Sequence, residues 1–474
     1  MRIGRGLDVL SLGSFVVLGL PDGMLGTAWP SMRQSFGAPI ADLGLILLVI
    51  TIGSVAVSVF VGALIRRFGV PVLLALSGAC AAVGAAAFAV APGIWLVFVV
   101  AALLGVAAGM MDGGLNTTIG LSGRPRLLNL LHAAYGVGTT IGPLVVTAAI
   151  VLSSWRPAYV ALVVLDLMIA VLWLVQRRNE QRQYDRTRQP AAVPPGDVIT
   201  ARSTDSGEPD GGAVPPREAI TARSADSGEP TPDSRTALTG HPSEAWSRRR
   251  SSFVVAAGMA IFFVYTGVEV AAGQWEASFC RGHLGLSASA AGIATFGFWG
   301  ALTGARIVLA LLPRPLRPSL VVWWGSGIAL LATAVIWWQP GTPVTLAGFV
   351  VLGAALAGVF PAMIALTPDR IGRGRAQHVI AWQVGAAAAG GSGLSALIGL
   401  FIALAGLSVL GPSLTVMAVL LAVGIIVLER VAPMPAAVSG PDATSLRPQP
   451  GDPSGRPYCP SQETPSLVVR VDGR

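Results

Sequence analysis

The sequence contains no lysine; all 32 of its basic residues are arginine. Charge of either sign is scarce, at 12% of 474 residues, against roughly 25% in soluble globular chains. With 53% hydrophobic residues and a mean hydropathy of +0.68, so little charge excludes an ordinary soluble domain. The net charge of +8 does not point to nucleic acid, because the arginines are scattered at the ends of apolar runs instead of forming a patch. Only three cysteines occur, Cys80, Cys280 and Cys459, without a CxxC or Cys/His spacing that would suggest zinc or a redox pair. Four scattered histidines suggest no metal cluster. There is no Ser/His/Asp arrangement and no phosphate-cradling loop. The glycine-rich GAAAAGGSG (385–393) lies inside an apolar run, where small residues let helices approach closely. Neither a cofactor nor enzymatic chemistry is therefore expected.

What the chain has is long apolar runs. About 20 such residues cross a bilayer as a helix. Runs of this kind occur near 8–29, 41–65, 70–90, 93–116, 129–152 and 157–176, and again near 252–275, 286–312, 318–338, 343–366, 377–406 and 408–429. The first follows Arg2 and Arg5 but has no small-x-small cleavage site, so it reads as an uncleaved helix and not a signal peptide. The expected organisation is a six-helix half over 1–176, a linker over 177–250, a second six-helix half over 251–430 and a tail over 431–474. Linker and tail are rich in Pro, Gly, Ser, Asp and Arg, a composition that cannot bury enough apolar surface to fold. The linker carries a tandem duplication, AVPPGDVITARSTDSGEP (192–209) and AVPPREAITARSADSGEP (213–230).

Arginine placement orients the spans. Arg66, Arg67, Arg124, Arg126, Arg177, Arg178, Arg248 to Arg250, Arg314, Arg317, Arg370, Arg373 and Arg375 fall in alternate connections; the opposite ones offer only Arg33, Arg156 and Arg281. Both termini and the linker are expected in the cytoplasm, with Trp155, Trp337 and Trp338 near the outer interface.

The halves resemble one another. GLPDGMLGTAW (19–29) parallels GVEVAAGQW (267–275), LGVAAG (104–109) parallels LGAALAG (352–358), and His132 and Gln383 each precede a glycine, Gly142 and Gly393, by ten residues. Two six-helix repeats joined by a linker resemble the layout of major facilitator transporters. GALIRRFG (62–69) is similar to that superfamily's loop signature at Gly62, Leu64, Arg67 and Gly69, although Arg66 stands where an acid normally helps latch the cytoplasmic gate. YTGVEVAAGQW (265–275), LHAAYGVGTTIGP (131–143), MDGGLN (111–116) and FWGALTGAR (298–306) resemble the fucose/galactose/glucose:proton symporter family. The resemblance implies an all-α membrane protein of the major facilitator fold with twelve helices, acting as a monomer in a plasma (inner) membrane.

Charged groups at mid-bilayer cost about 2.5–3.5 kcal/mol on insertion scales and face cavities. Asp22, between Pro21 and Gly23, is a candidate proton carrier; the alternative is a charge at the outer end of a short helix. Asp112 and Asn116, four residues apart on one helix face, suit a sugar hydroxyl or a proton relay. Glu269, with Tyr265 one turn before and Gln274 and Trp275 after, offers hydrogen-bonding groups and an aromatic face, which a sugar ring needs. His132 and Gln383 are expected to face each other across the cavity. Arg306 either pairs with a carboxylate or snorkels to the surface. Asp166 has no assigned role. The expected activity is sugar uptake in symport with protons. The alternatives are proton-coupled drug or metabolite efflux on the same fold, and a non-transporting sensor.

Overall fold

A backbone in lipid has no water to bond, so each apolar run must close its own hydrogen bonds as a helix. The computed structural model describes residues 5–121, 124–188, 242–313 and 316–432, and among them no strand occurs. The helices are α1 (Arg5–Phe36), α2 (Asp42–Ser58), α3 (Val61–Phe68), α4 (Val70–Val90), α5 (Ile94–Leu121), α6 (Pro125–Leu152), α7 (Arg156–Arg188), α8 (Pro242–Gly282), α9 (Ala288–Leu311), α10 (Pro318–Trp338), α11 (Thr342–Leu356), α12 (Val359–Ile371), α13 (Arg373–Ala405) and α14 (Leu410–Val431). Eleven stretches are long and apolar enough to cross a membrane, and α2 with α3, bent by 56° at their junction, makes a twelfth.

Two expected boundaries move. The helix α7 continues through 177–188, and α8 begins at Pro242. Arg, Gln and Glu are good helix formers, so the charged stretch RRNEQRQYDRTR prolongs a helix that lipid has already nucleated. The tandem duplication and the tail lie outside the described residues. The stretch read as a loop at 62–69 is mostly helix: Gly62, Arg66 and Arg67 belong to α3, and only Gly69, at φ +78°, turns the chain into α4. Trp155 is buried and donates from Nε1 to Ser35 Oγ at 3.2 Å, whereas Trp337 and Trp338 are exposed.

The internal repeat reappears as a packing pattern. In the first half α1 packs on α6, α2 on α5, and α4 on α5 and α7; in the second α8 packs on α13, α9 on α11, and α10 on α11 and α14. Helix association in lipid relies on close backbone approach. Accordingly Gly19 and Gly23 of α1 lie against the backbone of Tyr135 and Thr139, and Gly390 of α13 lies against the backbone of Phe263. A Cβ at any of these positions would collide with main chain.

The halves meet through α1–α8, α2–α13 and α6–α9. At the end away from the termini, Gly26 of α1 touches Gln274, Gly44 of α2 touches Ala396, and Arg281 donates to Ser31 Oγ at 2.8 Å. At the end that carries the termini, three polar ties among the described residues each stay within one half: Arg124 with Asp8, Arg370 with Glu429, and Arg250 with the Val431 carbonyl. A groove of about 600 Å³ opens there, lined by Ser251, Met259, Arg375, His378 and Trp382. The groove runs between α8 and α13 of the second half, whereas the contacts that join the halves at Gly26, Gly44 and Arg281 lie at the opposite end.

Candidate functional site in the bundle centre

Asp22 sits where Pro21 interrupts the donor sequence of α1, and the close α1–α6 packing brings Tyr135 onto it. The Tyr135 hydroxyl donates to Asp22 Oδ2, and Gln274 Nε2 of α8 donates to the Asp22 carbonyl at 2.8 Å, so this point joins both halves. On α5, Asn116 Nδ2 donates to Asp112 Oδ1 at 2.8 Å across one helical turn, while Asn116 Oδ1 is buried with no partner. His132, one turn before Tyr135, is exposed on the same stretch of α6 and meets Phe15 edge-on at 6.2 Å between centroids.

The second half supplies an ion pair. Arg306 of α9 donates from one terminal nitrogen to both oxygens of Glu269 at 3.2 Å, and the Tyr265 hydroxyl donates to Glu269 Oε2. The Glu269 side chain is 13% exposed and that of Arg306 30%. Arg306 Nε also holds the Ala357 carbonyl at 3.1 Å, and the Tyr265 hydroxyl lies 2.9 Å from the Leu356 carbonyl. Of the two readings of Arg306, pairing is the one the structure adopts.

These groups share one region. Tyr135 lies within electrostatic reach of Asp22, Asp112 and Glu269 together, and His132 within reach of Arg306. The backbone route is direct, since Thr303, one turn before Arg306, donates to the Gly136 carbonyl at 3.0 Å. Three carboxylates, two tyrosines, an amide, an imidazole and one guanidinium therefore converge between the halves of an otherwise apolar bundle. Ionisable groups gathered within membrane spans on this scale are retained for binding or ion movement.

The sequence matches the family model described as Major Facilitator Superfamily over residues 11–396. The chain belongs to the major facilitator superfamily. It is a multi-pass membrane transporter, not an enzyme. Among solved structures, it is similar to a mutant of the nucleoside transporter NupG, at 12% identity and TM-score 0.59, covering 88% of this chain and 98% of that one. It is also similar to the transporter FucP in the outward conformation, at 16% identity and TM-score 0.53, covering 90% and 98% respectively. At these identities the likeness speaks for the fold. No curated protein matches in sequence.

Several residues expected at the transporter's substrate site make packing or main-chain contacts in this conformation. Trp275 is fully buried, its Nε1 donating to the Ser395 carbonyl at 3.0 Å, and its ring fills the space opposite Gly399. It packs α8 on α13 and presents no face to the cavity. Gln274 is 3% exposed and serves the contact with Asp22. Gln383 does not face His132. It points into its own half, where Oε1 accepts from Thr367 Oγ1 at 3.0 Å and the amide lies against Gly258. The repeat equivalence of His132 and Gln383 holds along the chain but not in side-chain surroundings, His132 meeting Phe15 and Gln383 meeting Thr367 and Gly258. Arg66 and Arg67 are exposed, Arg67 lying over the Phe68 ring at 5.4 Å.

Sequence reasoning missed Tyr135. The available signal was its place one turn after His132 in the same motif, repeating the Tyr265–Glu269 juxtaposition of an aromatic hydroxyl with an acid. It also passed over Glu276, which is fully buried with neither carboxyl oxygen partnered. Among the described residues no group of His, Cys, Asp and Glu could hold a metal ion.

Proposed function

We propose that this transporter carries a sugar in symport with protons by alternating access between its halves. The convergence of Asp22, Asp112 and Glu269 around Tyr135, with Arg306 as the charged counterpart of Glu269, supports this reading. Three acids against one paired guanidinium leave two carboxylates without a counter-ion, and in a low-dielectric site a proton is the smallest charge that can offset each. Asp22 and Asp112 are therefore the proton-carrying groups. Asn116, His132, Tyr265 and Glu269 offer the mixed donors and acceptors that hydroxyls require, and the orphaned Asn116 Oδ1 is an acceptor awaiting a donor.

Gln274 acts in this reading through the contact between halves, which forms when the far end closes, and Trp275 acts by packing α8 on α13 within the second half. The termini lie on the cytoplasmic side of a plasma (inner) membrane, so the open groove faces inward, and the chain works as a monomer. The names of the fold neighbours, a nucleoside transporter and FucP, agree with a small polar cargo.

The test is external pH in lightly buffered proteoliposomes or cells on addition of each of a panel of hexoses. Alkalinisation with one sugar, abolished in Asp22→Asn, is the expected result. No response to any sugar by correctly inserted protein overturns the sugar reading, and dye efflux then becomes the assay for the alternative cargo.

A further inference from the structure

The tenth span is interrupted between α11 and α12. Pro361 lacks an N–H, so the Ala357 carbonyl, four residues earlier, has no helical donor, and the ring pushes against that carbonyl. Gly358 beside it removes side-chain support. A carbonyl freed inside a membrane must find another donor. Arg306 Nε supplies one to Ala357 at 3.1 Å, and the Tyr265 hydroxyl lies 2.9 Å from the Leu356 carbonyl. The same two side chains hold Glu269. Tyr265 has one hydroxyl proton for two acceptors, and Arg306 divides its nitrogens between a carboxylate and a main-chain carbonyl.

We propose that Glu269 sets the geometry of the α11–α12 break, with Arg306 and Tyr265 as positioning residues that transmit its charge state to the Leu356 and Ala357 carbonyls. A charged Glu269 draws both side chains into a bracket between α8, α9 and span ten. Protonating Glu269 removes the counter-charge of Arg306 and the stronger acceptor of Tyr265. The bracket then loosens, and α12 re-orients about Pro361. The ionisable groups around Glu269 are Arg306 and Tyr265 in contact, with Tyr135 in electrostatic range.

The segment that moves is well placed to act on the terminus-bearing end. Thr367 of α12 bonds Gln383 of α13, and Arg370 bonds Glu429 of α14, so a swing of α12 is delivered to the helices around the inner groove. The biological trigger rests on Glu269 belonging to the substrate site, but the mechanical link needs no substrate. The experiment therefore uses none, and a failure of the sugar assay leaves it unaffected.

Spin labels at Val344→Cys on α11 and Ala365→Cys on α12, both exposed positions, report the bend by pulsed electron–electron distance measurement. The full chain is used, with Cys80, Cys280 and Cys459 replaced by alanine. Glu269→Gln is expected to shift the mean distance by a few ångströms or to split the distribution. Pro361→Ala restores the missing N–H, and Glu269→Gln in that background is expected to produce no shift. A Glu269→Gln distribution that superimposes on the parent overturns the proposal. So does an equal shift with and without Pro361. Should Glu269→Gln not yield folded protein, Tyr265→Phe keeps the ion pair while freeing Leu356; a shift in that variant supports the link and superimposition refutes it.

Discussion

Gly26 offers a direct way to disturb one conformation and spare the fold. Gly19 and Gly23, lower on the same helix, face α6 of their own half, so substituting them damages packing in every state. Gly26 faces the other half. A Cβ placed there would lie 2.5 Å from the Gln274 carbonyl oxygen and 2.7 Å from its Cα, both main-chain atoms that cannot rotate away. Ordinary carbon contacts begin near 3.5 Å, so α1 and α8 would have to separate by about 1 Å before a Gly26→Val side chain fits. Over-packing of this size costs about 1–3 kcal/mol. Because the clash exists only when the far end is closed, the closed-to-open ratio should fall by roughly 5- to 150-fold.

Labels at Gln34 and Leu404, exposed near the far ends of α1 and α13, read that ratio as two distances. Gly26→Val is expected to populate the longer one at the expense of the shorter. Gly13→Ala, where a Cβ meets nothing within 4 Å, is the control. If Gly26→Val keeps the parent's distance distribution and transport rate, the interface at the far end is not what closes this transporter.

Three further outcomes follow from the same contacts. Arg306→Met leaves Glu269 buried and unpaired, which costs about 3–5 kcal/mol for fully buried pairs and less here, where Arg306 is 30% exposed; the double variant with Glu269→Gln should recover most of the lost thermal stability in detergent. If the double variant is no better than the single, the pair is not coupled. Trp275→Phe removes the hydrogen bond to Ser395 and should lower stability by about 1 kcal/mol with substrate affinity unchanged; a loss of affinity at constant stability would return Trp275 to the binding site. Glu276→Met replaces two buried oxygens without partners by an apolar side chain of similar size, so thermal stability should hold or rise, and a fall of several degrees would show that the carboxyl has a partner in solution.

Much of this protein was legible before folding, for identifiable reasons. Lipid forces every backbone polar group to be satisfied within its own segment, so apolar length alone counts the spans. Low charge places the chain in a membrane. Charged residues inside spans are rare enough that Asp22, Asp112 and Glu269 stand out by position alone. Helical spacing likewise announced Asp112 with Asn116 and Tyr265 with Glu269, because residues four apart meet on one face whatever surrounds them.

Contacts between helices distant in sequence were settled only by the tertiary structure. That Tyr135 would reach Asp22 depends on the rotation of α6 against α1, which the small residues at Gly19 and Gly23 permit but do not dictate. Whether Arg306 would pair or snorkel turned on the neighbouring carboxylate and on a carbonyl freed by Pro361 in another span. Trp275 and Gln383 looked like cavity residues because a sequence shows what a side chain can bind but not which way its helix is turned. Rotation about the helix axis is fixed by the sum of many weak packing contacts along the whole span, and no local motif encodes that sum.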